Sequence, residues 1–142
     1  MKKLLLPFLL LSSTVMAKPY SNINMSQYTA TVNTLKSELC VPTKIGKDCF
    51  PVLIGKETPK GTFNLNIYIT NRKGYGGEVL GFHQRGKELF AVHRVWLGNP
   101  SEKRDARIKS DEVADRLITN GCINISEEGY LRTRNMLVLK VI

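Results

Sequence analysis

Cys122 stands in the run Thr119-Asn120-Gly121-Cys122-Ile123-Asn124, and His93 lies upstream at the end of the apolar stretch Leu89-Phe90-Ala91-Val92. A cysteine behind a small residue, with strand formers after it and an imidazole elsewhere in the chain, has the parts of a thiol nucleophile and its base. A thiol of ordinary pKa, about 8.5, is only about 3% ionised at neutral pH, so such a site needs His93 to take the proton or to stabilise the thiolate. The backbone N–H groups around Gly121 and Cys122 are candidate donors to an oxyanion, and Thr119, Asn120 and Asn124 are candidate supports for the turn that carries the sulfur. Asn120 can donate a hydrogen bond but cannot accept a proton, which leaves His93 as the base. His83, the other histidine, falls on an earlier strand and is expected to face solvent or the core. Two histidines without a spaced carboxylate or thiolate partner are a poor zinc set, and no phosphate or dinucleotide fingerprint is present, so neither metal nor cofactor is expected.

The elements that must position this pair are mostly strands. Tyr28 to Val32 leans to strand within an ambiguous stretch, Cys49 to Ile54 is a strand closed by Gly55, and Asn64 to Ile69 alternates like a half-buried strand. Glu78 to Gln84 and Glu88 to Trp96 form a hairpin around Arg85-Gly86-Lys87, with His93 near the far end of its second strand. Leu97 to Lys109 is polar and holds Gly98-Asn99-Pro100, as a loop or lid would. Ser110 to Leu117 and Ser126 to Arg134 each begin with a capping serine followed by acids, which predicts two short helices flanking the cysteine. Met136 to Ile142 closes the chain as a strand. The expected fold is therefore mainly β, a sandwich or barrel with two short helices near the cysteine motif.

The N-terminus bears on compartment. Met1-Lys2-Lys3, an apolar run of about a dozen residues and Val15-Met16-Ala17 before Lys18 read as a secretory signal peptide over residues 1–17, too short for the roughly 20 residues of a membrane span. Residues 18–142 are then one domain with no further membrane span, expected to be a monomer. The formal charge of +9 for 142 residues falls to +7 once Lys2 and Lys3 leave. That balance favours anionic material of a cell envelope, or a solvated basic surface, over nucleic acid that an exported protein seldom meets. In an oxidising periplasm three cysteines leave one over. Cys40 and Cys49 flank Val41 to Asp48, with turn formers at both ends, and are expected to form a disulfide that leaves Cys122 as the free thiol.

These pieces in this order resemble the L,D-transpeptidase catalytic domain, often called YkuD-type. Gly55 with Thr58-Pro59-Lys60-Gly61-Thr62-Phe63 is similar to that family's TPxGxF turn. Ala91-Val92-His93 matches its strand-borne histidine, and Thr119 to Asn124 is similar to its [ST]HGCxN signature, with Asn120 where many members carry histidine. The resemblance implies acyl transfer on peptidoglycan stem peptides through a Cys122 thioester. Water in place of an acceptor amine makes the same site an L,D-carboxypeptidase or related amide hydrolase, and loss of turnover would leave a wall-binding protein. Arg94, Arg104, Arg107 and Trp96 are the candidates for contacting the substrate.

Overall fold

The computed structural model describes residues 23–142; the expected leader and its cleavage site lie outside the described residues. Among the described residues nine strands run as β1 (Thr29–Asn33), β2 (Glu38–Thr43), β3 (Gly46–Leu53), β4 (Gly61–Asn64), β5 (Asn66–Ile69), β6 (Glu78–Arg85), β7 (Glu88–Arg94), β8 (Ile123–Ile125) and β9 (Val138–Val141). They form one nearly closed sheet in the order β4-β9-β1-β2-β3-β8-β7-β6-β5. β3 is shared between its halves, pairing antiparallel with β2 through Gly46 to Pro51 and with β8 through Val52 and Leu53. The sheet folds over at this point and encloses a core of Ala30, Val32, Leu39 and Val41 from one half and Leu80, Phe90, Val92, Ile123 and Ile125 from the other. Alternate residues of β1 and β2 are buried, as period-2 patterning requires of a sheet with one wet face.

The helix α2 (Glu127–Thr133) begins where its cap predicts: Ser126 Oγ accepts the Gly129 N–H at 3.2 Å, and Glu127 and Glu128 occupy the first turn. It buries Tyr130 completely. The expected helix over Ser110 to Leu117 is reduced to one 3-10 turn at Val113–Arg116, while the α-helical turn α1 (Arg104–Arg107) forms in the segment read as loop. Ser110 does not cap a helix. It accepts the Glu112 N–H at 3.1 Å and donates to Asp115 at 2.6 Å, a local turn that consumes the capping group. The strand read over Asn64 to Ile69 is also divided. Leu65 donates its N–H to Leu137 O at 2.9 Å, so β4 joins β9 in one half and β5 joins β6 at the edge of the other. All four residues of β5 are exposed rather than half-buried, because β5 lies at the sheet edge with only β6 as partner.

Cys40 and Cys49 face each other across the β2–β3 hairpin and are joined by a disulfide, with Cα atoms 4.0 Å apart. The covalent loop is short and the hairpin ladder holds both ends, so the bond acts mainly on the unfolded chain. Converting both cysteines to serine is expected to leave the fold intact and lower unfolding free energy by about 2 to 3 kcal/mol. Urea titration of the double variant beside oxidised wild type tests this, and equal midpoints would refute it. Among the described residues no helix is long and apolar enough to cross a membrane.

Candidate functional site

The turn bearing Cys122 is built against the end of β3. Ile54 donates its N–H to Arg116 O at 3.0 Å and accepts from the N–H groups of Ile118 and Thr119 at 2.9 and 3.0 Å, so residues 116–119 continue the sheet as a parallel partner. Gly55 permits this approach, since a Cβ there would sit 1.9 Å from the Thr119 carbonyl oxygen. Thr58 holds Gly55 in place by accepting its N–H at 3.0 Å. The threonine of the TPxGxF-like turn thus fixes the glycine on which the cysteine turn rests. Thr119 Oγ then closes that turn, donating to Cys122 O at 2.6 Å and accepting the Gly121 N–H at 3.2 Å. Gly121 has φ +126°, a conformation side chains disfavour, and an added Cβ would lie 2.4 Å from the Phe90 ring.

β8 leaves the turn parallel to β7, with Val92 opposite Ile123 and His93 opposite Asn124. Cys122 and Asn124 are two residues apart and therefore project to the same side as the registered His93. His93 is 3% exposed. Its Nδ1 lies 2.6 Å from the Arg94 carbonyl oxygen; a carbonyl only accepts, so Nδ1 carries the proton and Nε2 presents its lone pair. Asn124 agrees with this tautomer. Its Oδ1 accepts from the Trp96 N–H at 3.1 Å and from Arg104 Nη1 at 3.0 Å, which turns its Nδ2 donor toward His93 Nε2 at 3.5 Å. Tyr75 packs edge-on against the imidazole, with centroids 4.8 Å apart. Burial, and secondarily the Arg104 charge, push the His93 pKa down to about 4 against the pull of the Arg94 carbonyl. Burial likewise pushes the Cys122 thiol up, opposed by a hydrogen bond with Ala91 and the Arg104 charge and reinforced by Glu88. Both shifts favour a neutral thiol and a neutral imidazole at rest, and the sulfur also makes a long contact to Leu89 O at 3.8 Å.

Two clefts meet at this pair. A smaller one of about 230 Å³ is walled by Phe90, Trp96, Arg104, Thr119 and Asn120, and a larger one of about 480 Å³ by Tyr68, Ile69, Arg72, Val79 and Lys87. Tyr75, Glu88, Leu89, His93 and Cys122 line both.

The arginines divide. Arg104 reaches the smaller cleft beside Trp96, held by Glu102 at 2.5 Å and lying 5.3 Å from the indole centre. Arg94 faces away, paired with Glu127 and stacked 4.1 Å over Tyr130, and Arg107 binds the carbonyls of Glu102 and Asp115, at 2.9 and 3.0 Å, within its own loop. Neither lines a cleft. His83 packs between Phe63 and Phe90, at centroid distances of 5.3 and 5.8 Å, clear of both clefts. Tyr75, Glu88 and Leu89 were not singled out from the sequence. Tyr75 had a signal, an aromatic residue among glycines in a loop, whereas the role of the Leu89 carbonyl depends on strand register alone.

No protein-family model and no curated protein matches the chain. Solved structures do. An L,D-transpeptidase from Mycobacterium tuberculosis is similar at a TM-score of 0.53 and 14% identity, covering 82% of this chain and 57% of that one. L,D-transpeptidase 3 from the same organism gives 0.54 and 12%, covering 82% and 61%. An L,D-transpeptidase from Mycobacterium smegmatis gives 0.50 and 16%, covering 82% and 58%. The chain spans about three fifths of the length of each of these structures.

Proposed function

We propose that this chain, which has the L,D-transpeptidase (YkuD-type) catalytic-domain fold, is an exported cysteine acyltransferase that acts on peptidoglycan stem peptides, with Cys122 as nucleophile and His93 as base. The observation that carries this reading is the pair of clefts converging on Cys122 and His93, since acyl transfer between two peptides needs room for a donor and an acceptor on either side of one sulfur. The cysteine pairing and the leader-like residues 1–17 support export to an oxidising envelope compartment.

With both groups neutral at rest, the proton passes from the Cys122 thiol to His93 Nε2 as sulfur attacks the carbonyl between the third and fourth stem residues. The imidazolium then protonates the departing amine, the terminal D-residue leaves, and the tripeptide remains as a thioester. The Gly121 N–H is already engaged by Thr119, so the oxyanion turns to the Cys122 N–H. Arg104 is the cation suited to a donor carboxylate in the smaller cleft, with Trp96 as its apolar wall. Asn124 ties Trp96, Arg104 and the imidazole together, and Asn120 lines the same cleft without serving as a base.

Incubating purified protein with disaccharide tetrapeptide and following products by mass is expected to give cross-linked dimers. Tripeptide alone would make the protein a carboxypeptidase on the same site. Absence of product and of any thioester adduct would overturn the enzymatic reading, and retained binding of the same fragments would then support a wall-binding protein.

A further inference from the structure

Among the described residues Glu88 is the only acidic residue lining either cleft, beside Arg104 in one and Arg72 and Lys87 in the other. It stands where the two clefts join, one residue before Leu89, whose carbonyl is 3.8 Å from the Cys122 sulfur. Its side chain is 59% exposed and shares a 3.2 Å pair with Arg85, an exposed contact of the kind worth little and easily exchanged. A negative charge here opposes thiolate formation at Cys122 and repels the carboxylates of a donor peptide, so it does not help the first half of the reaction. The second half differs. The thioester is neutral, and its attacker arrives as an ammonium, a cationic group brought in by the acceptor.

Resting on the acyl-transfer reading above, we propose that Glu88 is the docking group for the acceptor ammonium and so decides whether the Cys122 thioester passes to an amine or to water. The carboxylate binds the R–NH3+ group at the mouth shared by both clefts. One ammonium proton is released through it to solvent, and the free amine attacks the thioester carbonyl. The C–N bond forms as the C–S bond breaks, and the second proton moves through His93 Nε2 to the departing Cys122 sulfur. The products are an amide, a regenerated thiol and one proton in solution. Specificity follows: a cationic primary amine is preferred over an uncharged nucleophile of similar reactivity.

The test compares wild type with Glu88→Gln and Glu88→Lys on disaccharide tetrapeptide, scoring dimer against tripeptide by mass. Hydroxylamine, uncharged at neutral pH, serves in parallel as a neutral trap of the thioester. Glu88→Gln is expected to lower the dimer-to-tripeptide ratio roughly tenfold, the loss of one charge-assisted hydrogen bond in a half-open site, and Glu88→Lys to lower it further. Thioester formation and capture by hydroxylamine should continue in both variants. An unchanged dimer-to-tripeptide ratio, or equal loss of dimer and hydroxylamine adduct, overturns the role of Glu88 while leaving the acyl transfer intact. A wild-type protein that forms no thioester overturns both readings, and one that forms thioester but releases only tripeptide is the carboxypeptidase named above, which removes the acceptor role of Glu88 and leaves Cys122 as the nucleophile.

Discussion

Cys122→Ala is expected to abolish both cross-linking and tripeptide release, with turnover falling at least ten-thousandfold to background. In nucleophilic catalysis the residue that forms the covalent intermediate has no substitute, and removing it alone costs about as much as removing the whole catalytic set. The competing explanation, that alanine disturbs the turn, is weak on geometry. The Cys122 side chain is partly exposed, and its sulfur touches only backbone of its neighbouring strand, with Leu89 O at a long 3.8 Å. The turn is held instead by backbone and threonine groups: Thr119 to Cys122 O, and Ile118 and Thr119 to Ile54 O. A large-to-small change at a site open to a cleft leaves no sealed cavity, so the stability cost should stay near or below about 1 kcal/mol. The check is a pair of measurements on one preparation, product formation from disaccharide tetrapeptide and the urea midpoint. Retained activity in a folded Cys122→Ala protein would end the thioester mechanism; lost activity with a collapsed midpoint would assign Cys122 to the fold instead.

How much of this could be read from the chain depends on what kind of signal each residue leaves. That Cys122 and His93 would line the same clefts was legible because each sits in a short motif whose types are unusual together, and because a cysteine pair elsewhere leaves one thiol over. The hairpin carrying His93 and the capped helix after Cys122 were legible for the same reason, since caps and turns are local chemistry. The arginines were not. Arg94, Arg104 and Arg107 are equivalent in sequence, yet strand and loop geometry sends one to Glu127, one to the cleft and one to the carbonyls of its own loop. The alternation over Asn64 to Ile69 gave the strand character but not the break at Leu65 or the exposure of β5, because period-2 patterning says which face differs and not what covers it. Glu88 was invisible for a related reason: an acid at the start of a hairpin strand is ordinary until β8 brings Cys122 alongside.

His93→Gln is expected to lower kcat/KM by about a hundred- to ten-thousandfold, the range for loss of a positioned general base. It should also alter the pH dependence of stability in a direction the imidazole environment dictates. Burial holds the folded His93 pKa at about 4, against its ordinary 6.5. The unfolded chain therefore binds more protons than the folded chain between those two values. Stability is fully present above about 6.5, falls as the pH drops, and the His93 share is gone by about pH 4. The shift amounts to about 3 kcal/mol. Glutamine cannot titrate, so the variant should show a flatter stability profile across this window than the wild type. The Glu78 carboxylate, lowered by its hydrogen bond to Arg134, loses its contribution only as the pH falls below the ordinary carboxylate range, and it does so equally in both proteins. Subtracting the two urea-derived profiles isolates the imidazole. The same depressed pKa fixes the acid limb of activity: a base neutral down to about pH 4 keeps the wild-type rate from falling near pH 6.5. Parallel stability profiles in the two proteins, or an activity loss centred near 6.5, would mean that His93 is solvated and charged at mild acidity, and that the Arg94 carbonyl and Asn124 amide do not hold it as a neutral base.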